Sequence, residues 1–247
     1  MKKLVVIIAG LLFVGTVSLH AQTQLENLSL DQWEQRGKVW YAKHWDSANK
    51  GTATLGKNVT MPEEHFVAIK GKGKKAACLK SQFVGVIGIG KFASACIYTG
   101  QFVKLVGTKG SQLSFGVPFT GRPKSLHGYY AFTPGIIDYA GKGMKSKLGQ
   151  TDEGRIELYL TEWDKPFLID NTKDMVLSPK SPDVIGYAEL TLRTATDGYV
   201  EFDIPVVYTS DATPTYGGIM VSSSRWGGSF TGSTGTVLYL DELELRY

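Results

Sequence analysis

The chain has 247 residues, with 27 Lys and Arg against 23 Asp and Glu. That length suffices for one large domain or two small ones, and the near-balanced charge excludes a nucleic-acid partner, which calls for clustered Lys and Arg. Its 29 glycines and 12 tyrosines suit many strands joined by tight turns.

The chain opens on Lys2 and Lys3, then an apolar run from Leu4 to Val17, then Ser18-Leu19-His20-Ala21 before the polar Gln22. Charge, apolar stretch and small-residue cleavage site in that order are a secretory signal. The run is shorter than the ~20 apolar residues a membrane span needs, and no cysteine stands at the cleavage site to carry a lipid. Residues 1–21 are therefore expected to be removed after Ala21, leaving 22–247 as one β domain in the periplasm or outside the cell. No membrane insertion is expected of that product.

Leu28 to Arg36, with Asp31 and Glu34 near its start, predicts one short helix. The basic run Lys70-Gly71-Lys72-Gly73-Lys74-Lys75 is spaced by glycine and reads as a solvated loop. Cys78 and Cys96 lie in two β-type runs. Pairing those runs as a hairpin about Ile87 would make the sulfurs neighbours, a candidate disulfide if the Cα atoms fall roughly 4.4–6.8 Å apart. Gly88-Ile89-Gly90-Lys91-Phe92-Ala93 matches a dinucleotide fingerprint by letters, but it leads into the strand-like Ser94 to Thr99. The fingerprint must open a helix, so no dinucleotide is expected.

Period-two alternation dominates the rest of the chain. Ile156, Leu158 and Leu160 share one face of Arg155 to Thr161, and Ala188, Leu190 and Leu192 share one face of Tyr187 to Arg193. Val200, Phe202, Ile204, Val206 and Tyr208 form a third stripe after the Asp197-Gly198 turn. Such runs predict antiparallel strands with one face on a core and one towards water. The economical fold is an all-β, antiparallel jelly-roll β-sandwich with the one short N-terminal helix.

Standard catalytic signatures are sparse. His44, His65 and His127 have no metal-ligand spacing, and no Gly-x-Ser-x-Gly elbow occurs. Asp152, Glu153, Glu162 and Asp164 are the candidate carboxylates for glycoside hydrolysis, which needs two of them at a set separation. Sugars present C–H faces to aromatic rings and hydroxyls to polar groups. Two segments offer that mixture: Gly121 to Tyr130, with Arg122, His127 and Tyr129, and Ser222 to Phe230, with Ser224 and Trp226. Arg122, Tyr129 and Trp226 are expected to line one saccharide surface. Asp241 falls on the apolar face shared by Val237, Tyr239, Leu243, Leu245 and Tyr247. An inward carboxylate must be hydrogen-bonded, paired or bound to a cation, so Asp241 is read as a structural carboxylate, with a calcium ligand as the alternative. No other cofactor or metal is expected.

Several of these segments also fit one family pattern in order. Phe119 to Tyr130, Phe202-Asp203-Ile204-Pro205-Val206-Val207-Tyr208, the triple serine Ser222-Ser223-Ser224 and Leu238-Tyr239-Leu240-Asp241-Glu242 resemble the signatures of the putative carbohydrate metabolism domain, a family of secreted Bacteroidetes proteins. Asn27 to Trp33 and Trp45 to Asn49 fit the family's start. Gly228 and Cys96 depart from the pattern. The resemblance implies a jelly roll linked to glycans. Three functions are compatible with it: a glycan-binding domain for polysaccharide recognition or utilisation at the envelope, a glycoside hydrolase, or a structural envelope protein with no glycan ligand.

Overall fold

A computed structural model of the protein describes residues 24–70, 72–86, 89–107, 109–173 and 175–247, so the export segment lies outside the described residues. In chain order come the hairpin β1 (Trp33–Arg36) and β2 (Val39–Ala42), β3 (Asp46–Ser47), the single helical turn α1 (Asn49–Thr52), β4 (Thr60–Glu63) and β5 (Ala76–Lys80). A second hairpin, β6 (Gln82–Val86) and β7 (Ile89–Ala93), leads to β8 (Cys96–Tyr98), β9 (Gly100–Val106), β10 (Gly110–Phe115) and β11 (Val117–Pro118). Next are β12 (Ser125–Thr133), β13 (Gly154–Thr161), β14 (Phe167–Asp170) and β15 (Val184–Leu192). The remaining strands are β16 (Val200–Pro205), β17 (Val207–Tyr208), β18 (Tyr216–Ser222) and β19 (Val237–Arg246).

Two antiparallel sheets face each other as a jelly-roll sandwich. One runs β17-β15-β13-β18-β8-β3, with β11 added beside β18; the other runs β16-β12-β19-β5-β4. Ile156, Leu158 and Leu160 of β13 meet Leu126, Phe132, Leu238 and Leu240 of the second sheet in one core, all essentially without exposure. Each such side chain contributes about 1.5–3 kcal/mol through burial. The stripe from Val200 to Tyr208 changes sheets at Val206: β16 pairs with β12, and β17 with β15. One alternating run thereby closes a corner of the sandwich.

The outer face of the larger sheet is not left to water. A three-stranded sheet, β14-β10-β9, lies over it. Leu113, Phe115 and Ile169 of this third layer pack on Tyr98, Tyr159, Trp163 and Val184. The face of β13 that alternation assigned to solvent is therefore covered, and Tyr159 and Glu157 are only 3% and 7% exposed.

Three local expectations are corrected. Leu28 to Arg36 is not a helix, because Asn27 and Leu30 take positive φ and Trp33 to Arg36 pair with β2. The Asn27 side chain donates to the Gln32 and Lys43 carbonyls and accepts from Gln32 N–H. Asp31 accepts the Lys74 and Lys75 amides instead of capping a helix. Among the described residues the one α-helical turn is α1, beside three short 3-10 turns. The basic loop is thus held down rather than simply solvated, with Lys72 on Glu242 and Lys75 on Glu64. Cys78 and Cys96 are free thiols. Cys78 lies in β5 of one sheet and Cys96 in β8 of the other, because the β6–β7 hairpin spans less of the chain than the expected one. Burial pushes the Cys96 thiol up to about 12.

Candidate functional site

Two adjacent strands and their cover build one charged cavity. Glu157 of β13 stands directly opposite Glu189 of β15, so their Cβ atoms are about 4.5–5.5 Å apart, as in any such cross-strand pair. Arg155, two residues before Glu157, puts one guanidinium nitrogen 2.6 Å from Glu189 and 3.2 Å from Glu157. Tyr159, two residues after, donates its hydroxyl to Glu157 at 2.7 Å. Period two places all three on one face. Burial raises the Glu157 carboxyl above its ordinary value, against the opposing pull of Arg155 and the Tyr159 hydroxyl.

The cavity beside them measures about 160 Å³. Asn171 and Arg225 complete its polar side, while Phe115, Ile169 and Leu177 form the apolar side. Arg225 is itself fixed by Glu153 at 2.9 Å. The arrangement offers a ligand carboxylate acceptors, guanidinium and amide donors, and an apolar wall within one small volume.

The residues singled out from sequence do not share a surface. The Arg122 guanidinium donates to the carbonyls of Ser210 and Ala212 and lies 4.1 Å over the Tyr208 ring. Its partners precede β18, whereas Trp226 comes after it, beneath the Lys147 ammonium at 4.3 Å. The seven residues of β18 span about 20 Å, so Arg122 and Trp226 sit near opposite ends of the sandwich. Tyr129 is half-buried on the other sheet, opposite Glu201 and Asp241. His127 is buried rather than open to solvent, with Nε2 at 2.8 Å from Glu201 and Nδ1 at 3.6 Å from Glu244.

Ser224 is fully buried and donates to Asp152 at 2.5 Å. Asp152 also accepts from Thr236, Ser233 N–H and Glu153 N–H, which is the bonding of a structural carboxylate. Glu162 and Asp164 are exposed beyond the end of β13. Asp241 is fully buried, but not on the core-facing side. The register of β12 and β19 shifts between His127 and Tyr129, and Glu242 has φ 47°, so a bulge reverses the parity of β19. Leu238 and Leu240 face the core before it and Leu243 after it. Asp241 is instead covered by the loop between β4 and β5 and accepts Ala68 N–H at 2.7 Å and Glu242 N–H at 2.9 Å. With one amide on each oxygen, the structural role is the one the geometry supports.

Sequence reading missed Glu157, Glu189 and Arg155. Their signal was available: acidic residues of matching parity on two strands, one with an arginine two residues away. It was masked by the expectation that this face meets water.

Fold and site together define an antiparallel β-sandwich carrying a charged cavity under a third layer. The chain belongs to the putative carbohydrate metabolism domain family, whose model matches residues 25–246. No curated protein matches it. Among solved structures it is similar to one from Bacteroides thetaiotaomicron described as a putative glycoside hydrolase, at 24% identity and a TM-score of 0.63. That likeness covers 87% of this chain and 66% of the other, so the chain spans just under two thirds of it. A second, from Bacteroides vulgatus and described in the same words, gives 20% identity and a TM-score of 0.65 over 87% of this chain and 89% of the other. These likenesses are of fold.

Proposed function

We propose that the chain is an exported glycan-binding domain, acting in polysaccharide recognition or utilisation at the cell envelope, and that the cavity lined by Arg155, Glu157 and Arg225 receives one sugar unit. The carrying observation is the two-sided lining of a cavity of about 160 Å³. A cavity of about 150 Å³ holds one six-membered ring, and a pyranose offers such a ring with an apolar C–H face and polar hydroxyls. Family membership supports carbohydrate as the ligand class. Residues 1–21 would direct export and be removed. Among the described residues, no helix is long and apolar enough to cross a membrane.

A second reading, glycoside hydrolysis, is favoured by one observation: a buried Glu157 with a raised carboxyl in the wall of the cavity. Protonated Glu157 would give its proton to the leaving glycosidic oxygen while water bonds to the anomeric carbon, and the proton that this water loses would restore Glu157.

A glycan array with the purified protein, then a reducing-sugar assay on each hit, tests both. Arg225→Gln, which removes a guanidinium from the lining, is expected to weaken binding about tenfold, the equivalent of one charge-assisted hydrogen bond. Unchanged binding in that variant would contradict the cavity as the site. Reducing ends that appear with the wild type and vanish in Glu157→Gln would establish the hydrolase; hits without release leave a binding domain.

A further inference from the structure

A second, larger recess lies on the other side of β10. Phe115 lines the Arg155–Glu157 cavity, and its neighbour Ser114 lines this cleft, whose volume is about 620 Å³. The two share no lining residue. The walls of the cleft come from the β1–β2 hairpin and the turn after it, the floor from Asp46 and Thr99.

Its acids are already matched. Glu26 pairs with His44 at 3.1 Å, Glu34 with Arg36, and Asp46 with Lys50 at 2.7 Å. Lys43 is the remaining lining cation, without an ionic partner among the described residues. A cation would have to break one of these pairs, whereas a ligand rich in hydroxyls can share the paired groups and accept from Lys43. Tyr41 adds a ring, steadied by Arg36 at 5.1 Å and Lys50 at 5.7 Å.

His44 follows in the turn after the hairpin. It is the third residue of a turn closed by Trp45 N–H on the Ala42 carbonyl, and it has φ 67°. Turn geometry favours glycine at that position, so the backbone there accepts removal of the ring. Its imidazole borders the cleft.

We infer that this cleft is a second saccharide-binding site, taking an oligosaccharide of several units, with Tyr41 and His44 as its contact residues. The inference rests on the reading that this chain handles glycans, but not on the inner cavity. Its test is calorimetric titration of the purified protein with cellohexaose, xylohexaose, maltohexaose and mannohexaose. Wild type is compared with Tyr41→Ala, His44→Gly and, for the inner cavity, Arg225→Gln. His44→Gly keeps the backbone conformation while removing the ring, so it should melt no lower than wild type. Both cleft variants are expected to weaken binding of the preferred hexaose about tenfold, the effect of one lost ring or hydrogen-bonding contact. If they weaken it and Arg225→Gln does not, the cleft stands and the cavity assignment falls. If only Arg225→Gln weakens it, or no hexaose binds the wild type, the cleft is not a saccharide site.

Discussion

Asp241 shows how much one carboxylate depends on its surroundings. Burial, opposed by the Ala68 amide and reinforced by Glu242 and Asp31, raises its pKa from the usual 3.8 to about 6. A carboxyl whose folded pKa exceeds its unfolded one binds its proton more tightly in the native state. Its stabilising contribution is complete below about pH 4 and is lost as pH rises through 6. Asp241→Asn removes that dependence, and it also turns an amide donor towards one of the two backbone N–H groups. Chemical denaturation between pH 4 and 7 should therefore show wild-type stability falling relative to the variant as pH rises. Parallel pH profiles would contradict the assignment. A chelator should leave the wild-type melting temperature unchanged, because backbone amides already occupy both oxygens; a fall would revive the cation-ligand reading.

Elements are joined by a buried hydroxyl knot around Asp152, which links the start of β13 to the turn after β18 and the approach to β19. Ser224, Thr236 and two backbone amides all donate to this carboxylate. Ser223 meets Ser81 at 2.7 Å, and Ser222 meets Ser94 at 3.1 Å. Asp152→Ala strands several buried donors at once and should cost about 3–5 kcal/mol in denaturant unfolding. A cost below about 1 kcal/mol would mean that the knot does not hold these elements. The serine-rich turn illustrates where sequence reading stops. Ser222 to Ser224 look like surface hydroxyls for a ligand, and nothing in their spacing distinguishes that from satisfying a buried acid. Strands were legible because period two survives in β13, β15 and β16. The parity of β19 was not, because a one-residue bulge leaves no mark in composition.

Across the whole molecule, the third layer is what separates expectation from structure. Alternation correctly marks one face of β13 as core, yet it cannot reveal that β9, β10 and β14 return to cover the other. That cover turns a polar sheet face into the Arg155–Glu157 cavity, and it places the second cleft on its far side. Sequence reading reached the sandwich and the family, while the candidate carboxylates it chose were a knot residue, its neighbour and two exposed groups. Export is tested separately: mass spectrometry of the mature protein from an envelope fraction should find Gln22 at the N-terminus, and an intact Met1 would contradict the signal assignment. The central claim, that the cavity over β13 and β15 receives a sugar, is tested most directly by a crystal structure with an array-selected glycan bound. The account predicts one sugar ring against Phe115 and Ile169, with its hydroxyls within hydrogen-bond distance of Glu157, Arg155 or Arg225. A bound glycan that leaves this cavity empty would contradict it.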